Sequence, residues 1–243
     1  LREFFHPDRQ WRKMNLRVVI LATEEPSRAM RSFLSTPFYE NKVQFLRGSA
    51  LLESDLERAG AERALACFIL TNKYAVDPIT HDAETILMAL SVAQYHNDLR
   101  YKTYVQLIRR EAKHHLVAAN IINLLCLDEL KLGLIAQSII APGMSTLITN
   151  LVRTYSLAQY NKTSMKAWEA EYYSGCCNEI YSAYLDPFVG ATIATVTMAI
   201  FAQKGAVLFA VETTIATNAG VRRKLKLLPD FASVVGANDI GFF

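Results

Sequence analysis

The apolar runs at residues 16–22 (LRVVILA) and 65–70 (LACFIL) restrict the fold more than any other feature of this chain. A strand with one solvated face alternates polar and apolar residues. A strand buried on both faces stays apolar throughout, and such strands belong to parallel sheets. Both runs are therefore read as strands covered on two sides. The intervening segments carry helix signals. Pro26 suits the first turn of a helix running to Leu34. Residues 42–46 (KVQFL) form a short strand, and 55–59 a short helix that Gly60 stops. After the LACFIL strand, Ala83, Ile86, Leu87 and Leu90 recur at the spacing of a long helix. Residues 101–108 (YKTYVQLI) give the next strand, followed by a short helix through Leu116. Strands alternating with helices require parallel βαβ units with helices on both faces of the sheet, a Rossmann-like lobe.

A weak strand at 123–127 leads into a different kind of segment. Residues 132–152 carry no charged side chain, and their length approaches the ~20 residues that span a bilayer. Gln137, Ser138, Ser145, Thr146, Thr149 and Asn150 interrupt that stretch, and Pro142-Gly143 splits it. Two short packed helices over 128–153 fit better than one span. Residues 156–166 are polar and read as a loop or linker. A small α/β unit follows, with a helix over 192–203, a strand over 206–211, and further strand material at Val234-Val235 and 240–243. The expected organisation is α/β in three parts: a Rossmann-like lobe over 1–120, a helix-turn-helix crossover over 121–155, and a small C-terminal α/β lobe over 156–243. Residues 1–7 read as the tail of a helix that begins upstream, since the first residue is leucine. The apolar end at 240–243 reads as a strand finishing inside a fold.

The formal charge of +3 and the lack of a basic stripe interleaved with aromatics argue against nucleic acid as a partner. The run Arg222, Arg223, Lys224, Lys226 is read as a solvated loop beside a strand. None of Cys67, Cys126, Cys176 and Cys177 lies in a C-x-x-C pair, so structural zinc is not expected. Adjacent cysteines are rarely joined to each other, and all four are read as reduced thiols of a cytosolic protein. No G-x-G-x-x-G turn follows any strand, so NAD is not expected. Glu24, an acid just after a strand, sits where a ribose could be held. It keeps open a nucleotide-binding regulatory domain of a potassium transport system, or a dehydrogenase-like enzyme, provided a glycine-rich turn lies upstream. No G-x-S-x-G is present. His114 and His115 point about 100° apart on a helix and form no chelating pair. With His6, His81 and His96 they assemble into no catalytic set, so no enzyme activity is expected.

The loop from Asn72 to Asp82 (NKYAVDPITHD) is more informative. It follows a strand and so lies at the carboxyl edge of the sheet, where open α/β sheets bind ligands. Asp77 and Asp82 offer oxygens to a hard cation such as Ca²⁺, which takes 6–8 of them. Against that, Asp77 before Pro78 is an ideal helix N-cap, and a cation there would oppose the helix dipole.

Residues 43–50 (VQFLRGSA), 66–74 (ACFILTNKY) and 77–82 resemble the first RCK domain (regulator of potassium conductance) of Slo-family channels. So do 126–138 (CLDELKLGLIAQS), 141–146 (APGMST), 178–181 (NEIY) and Phe188-Val189-Gly190. The resemblance runs through nearly the whole chain in order. Some stretches are closer to the calcium-activated BK branch and others to the sodium-activated branch. It implies a Rossmann-like lobe whose first strand precedes Leu1, a crossing helix pair joining neighbouring RCK domains, and a small C-terminal lobe. It also implies a cytoplasmic domain of an integral plasma-membrane channel. There, RCK domains form a homotetrameric gating ring whose ion-driven rearrangement reaches the transmembrane pore of the same protein. In the calcium-activated branch Asp82 matches a Ca²⁺ ligand and Asp77 a nearby acid tied to sensing, with Na⁺ the alternative ion. The family's second carboxylate falls at Met198, and a thioether is a poor ligand for Ca²⁺. A ring-forming domain that binds no ligand is the third reading.

Overall fold

The computed structural model describes residues 1, 4–5, 16–74, 76–153, 165–178, 180–217 and 220–243. Most of the helix tail expected at 1–7, with His6, and most of the loop expected at 156–166 lie outside the described residues. The chain divides into two compact units, Leu1–Leu147 and Ile148–Phe243.

The first unit runs β1 (Val18–Ala22), α1 (Arg28–Leu34), α2 (Pro37–Glu40), β2 (Val43–Arg47), α3 (Glu53–Arg58), β3 (Cys67–Leu70), α4 (Pro78–Tyr95), α5 (Leu99–Lys102), β4 (Thr103–Leu107), α6 (Lys113–Ala118), β5 (Asn123–Cys126) and α7 (Leu127–Ile140). Then α8 (Met144–Val152) starts in this unit and ends in the next. Every strand pair here is parallel. β1 pairs with β2, while β3, β4 and β5 form a second sheet in that order. Parallel neighbours cannot be joined by a tight turn, so helices make the crossovers. Ser27 rather than Pro26 opens α1, its side chain accepting from the Met30 N–H at 3.2 Å. Gly60 ends α3 in the left-handed conformation (φ 68°) that favours glycine.

The core of this unit gathers Leu56, Ile69, Ala89, Val92, Leu99, Val105, Leu107, Leu116 and Ile121. Two expectations are corrected. First, β1 and β3 are not covered on both faces: Ile69 is buried, but Val19, Phe68 and Leu70 are exposed. On the outer side Phe68 stacks on Tyr104, with ring centroids 5.2 Å apart, and Phe4 packs edge-on against it. Second, α4 exists as expected, but its buried stripe is Asp82, Thr85, Ala89, Val92 and Ala93, with Leu87 left exposed. Two polar residues take inward positions because their hydrogen bonds are satisfied there. The Thr85 hydroxyl, for example, donates to the His81 carbonyl at 2.8 Å. The break at Pro142-Gly143 separates α7 from α8 as expected, and among the described residues no helix is long and apolar enough to cross a membrane.

The second unit contains α9 (Ala167–Cys176), β6 (Ser182–Tyr184), α10 (Ile193–Lys204), β7 (Ala210–Thr217), β8 (Gly220–Leu227) and β9 (Ile240–Phe242). Its sheet is antiparallel, in the order β6-β9-β7-β8. Leu185, Ile193, Val196, Leu208, Val211 and Val235 form its core. Gly241 is needed where it stands, since a Cβ there would lie 2.9 Å from Leu185 and 3.0 Å from Leu208. Three expectations change. The strand expected at 206–211 starts at Ala210 and continues to Thr217. Val234 makes only an isolated bridge to Thr192. The basic run is not a loop but part of β8, with Lys224 opposite Thr213 and Lys226 opposite Val211. Cations suit an outer strand, where they discourage further pairing, and the Arg223 guanidinium also donates to Glu212 at 3.2 Å. Nothing in the sequence reading anticipated α9. All four cysteines are free thiols, and burial pushes the Cys67 thiol above its ordinary pKa.

Candidate site at the carboxyl end of β3 and β4

The parallel sheet β3-β4-β5 ends its strands at Leu70, Leu107 and Cys126, and α4 begins beside that edge. Asp77 is the N-cap of α4. Its carboxylate accepts from the Ile79 N–H at 3.0 Å and from the Thr80 hydroxyl at 2.5 Å. These bonds satisfy donors that the first helical turn would otherwise leave without partners. Bonds to the charged form also hold the Asp77 carboxyl below the usual value, the Thr80 hydroxyl being the largest contributor. The sign follows directly. A carboxylate with a depressed folded-state pKa contributes stability above its unfolded pKa, about 3.9, and loses it as pH falls through the lower folded value. Asp77→Asn is therefore expected to flatten the acid limb of stability against pH below about pH 4 while still capping the helix. Urea midpoints measured from pH 2.5 to 6 check this, and parallel curves for both proteins would refute it.

Asp82 lies one turn further along and is 3% exposed. The ladder between β4 and β5 stops at the pair Leu107–Cys126, so the next two backbone N–H groups have no strand partner. Both turn to Asp82. Ile108 N–H donates to Oδ1 and Arg109 N–H to Oδ2, each at 2.9 Å. A buried carboxylate is costly unless hydrogen-bonded, and here the partners are two otherwise orphaned backbone donors. Each oxygen retains further lone-pair capacity. Asp77 and Asp82 therefore serve different neighbours, one the helix start and the other the end of β4. Among the described residues, no group of three or more His, Cys, Asp or Glu side chains could hold a metal ion. Met198, where the family resemblance puts a carboxylate, is 74% exposed on α10. Glu24 is exposed just past β1. The rings of His114 and His115 turn toward each other, with centroids 3.9 Å apart, closer than their positions on the helix suggested.

Two features escaped the sequence reading. One is the pair of backbone donors at 108–109, which no residue type announces. The other is the Lys113–Glu129 ion pair, joining the start of α6 to α7. Beyond it, α7 buries none of its residues: Leu132, Ile135, Ile139 and Ile140 are all exposed, Ile139 and Ile140 at 80%. Such a run of apolar side chains left in water is uncommon on the surface of a monomeric protein.

A lobe of parallel βαβ units, a helix pair and a small antiparallel lobe together match known proteins. Residues 1–107 match the calcium-activated potassium channel slowpoke-like RCK domain, and residues 122–211 match the calcium-activated BK potassium channel alpha subunit. The calcium-activated potassium channel slowpoke of Drosophila melanogaster is 34% identical over 254 aligned positions, covering 100% of this chain and 20% of that protein. The structure of the human SLO3 gating ring is similar with a TM-score of 0.67 and 26% identity, over 93% of this chain and 44% of that one. The chain thus spans less than half the length of these relatives. It belongs to the RCK domains of Slo-type potassium channels.

Proposed function

We propose that this chain is a cytosolic gating module of a Slo-family potassium channel, converting the binding of an intracellular cation into work on the pore. The family membership supports the channel role and disfavours the nucleotide-binding and dehydrogenase alternatives. A regulatory domain of this kind acts by population shift, not by chemistry: a ligand matters only through its different affinity for two states. The exposed apolar side of α7, continued by α8, is the surface through which the module meets other RCK domains of a tetrameric ring. Its chemistry, uncharged and aliphatic, suits a partner helix pair of the same kind.

The observation that carries the sensing reading is Asp82, a buried carboxylate at the carboxyl edge of the sheet with lone pairs to spare. Asp82 is the ligand; Asp77, committed to its helix, contributes charge nearby. Met198 supplies no oxygen, so the site is weak. Few charged ligands place its dissociation constant at about 10⁻⁴ M or weaker. Isothermal titration with Ca²⁺, and separately with Na⁺, in chelator-treated buffer tests this. Saturable heat at millimolar Ca²⁺ that Asp82→Asn abolishes is the expected result. Titrations flat for both ions would overturn the sensing role and leave the domain a transmitter of signals that arise elsewhere.

A further inference from the structure

The hydrogen bonds around Asp82 continue past it. The Arg109 N–H that donates to Asp82 Oδ2 belongs to the same peptide group as the Ile108 carbonyl. That carbonyl accepts from the Asp128 N–H at 3.1 Å and from the Cys126 thiol at 3.3 Å. Asp128 is in the first turn of α7, where N–H groups lack helical partners. The N-cap of that helix, Cys126, makes no side-chain cap bond. The Ile108 carbonyl therefore does the work of a cap for α7 from outside the helix.

We propose that the Ile108–Arg109 peptide group couples Asp82 to the start of α7, so that the charge on Asp82 sets how firmly α7 is held. The physical basis is polarisation. A carboxylate accepting from an amide N–H pushes electron density toward that amide's oxygen and makes it a better acceptor, since hydrogen bonds in a chain strengthen one another. A cation on Asp82 draws charge away, the Ile108 carbonyl weakens as an acceptor, and the first turn of α7 loosens. The helix so released is the one whose apolar side is exposed. The Lys113–Glu129 pair is a second, independent tie between this region and α7, so loosening is local rather than a detachment. The regulatory meaning of this coupling rests on the sensing role proposed for Asp82; the coupling itself does not.

Amide hydrogen exchange of the 243-residue protein, read residue by residue by NMR without added cation, tests it. Asp82→Asn is expected to speed exchange of the Asp128 amide about twofold, the scale of weakening one bond in a polarised chain by about 10–30%. Amides of α10 serve as the unchanged control. Faster exchange at Ile108 and Arg109 with Asp128 unchanged overturns the proposal. Should Asp82→Asn fail to fold, Cys126→Ala decides alone. It removes one donor to the Ile108 carbonyl, and the coupling predicts faster exchange at the Arg109 amide, whose own bond runs to Asp82. An Arg109 amide unmoved by Cys126→Ala overturns the proposal equally. Because neither variant is read with a cation present, a protein that binds neither Ca²⁺ nor Na⁺ would end the sensing reading and leave this coupling standing.

Discussion

Asp82→Ala is expected to destabilise the protein by about 2–4 kcal/mol, clearly more than Asp82→Asn. The carboxylate is 3% exposed and accepts from two backbone N–H groups at 2.9 Å. Alanine removes both acceptors and leaves the Ile108 and Arg109 donors in a space that their strand partners have already vacated. An unsatisfied buried donor costs about 1–3 kcal/mol, and two are created at once. Asparagine keeps one oxygen, so one donor stays paired and the loss is nearer that of a single bond. Urea unfolding followed by circular dichroism separates the two. An alanine variant as stable as the parent protein would mean that water satisfies these donors and that Asp82 has no structural role. The prediction also bears on how sensing is tested. A lost Ca²⁺ response in Asp82→Ala would mix ligand loss with damage to the β4 exit, whereas Asp82→Asn leaves most of the frame in place.

The hydrogen bonding of Asp82 shows what a sequence conveys and what it does not. The parallel βαβ order of the first unit was legible, because apolar runs and helix punctuation are local signals. So was the split at Pro142-Gly143, and so was the cap at Asp77-Pro78. The buried stripe of α4 was not. Sequence reasoning assigns the inward face to Ala83, Ile86, Leu87 and Leu90, since it counts apolar residues. The chain instead turns Asp82 and Thr85 inward, because tertiary hydrogen bonds satisfy them. Nothing local reveals that Ile108 and Arg109 will lack strand partners; that follows from where the β4–β5 register ends. The second unit was less legible for a related reason. β8 is rich in Arg and Lys and reads as solvent-exposed chain, yet an edge strand needs only one paired side and tolerates charge on its outer positions. Family resemblance reached the carboxylates but not the donors to Asp82, which are the backbone N–H groups of Ile108 and Arg109.

Leu107→Ala is the companion test, aimed at packing where Asp82→Ala is aimed at polarity. Leu107 is the last residue of β4, fully buried, and opposite Cys126 in the ladder. Removing its side chain beyond Cβ leaves a cavity among Leu99, Val105, Leu116 and their neighbours, in a core that α4 covers. Losses for buried Leu→Ala run about 3–5 kcal/mol, because the transfer term and the cavity term add. Leu107→Met, which nearly conserves volume, should cost less than about 1.5 kcal/mol. The same urea unfolding measures both. The chemistry of the site distinguishes this loss from that of Asp82→Ala. Leu107→Ala leaves the carboxylate and its two donors intact, so the Ile108 and Arg109 amides should remain protected from exchange up to the unfolding transition. If those amides opened well below it, the Asp82 bonds would depend on the packing of β4 and not on the carboxylate alone. If alanine and methionine proved equally mild, the core of this unit could collapse around the gap, and the end of β4 would be a softer support for α7 than its burial implies.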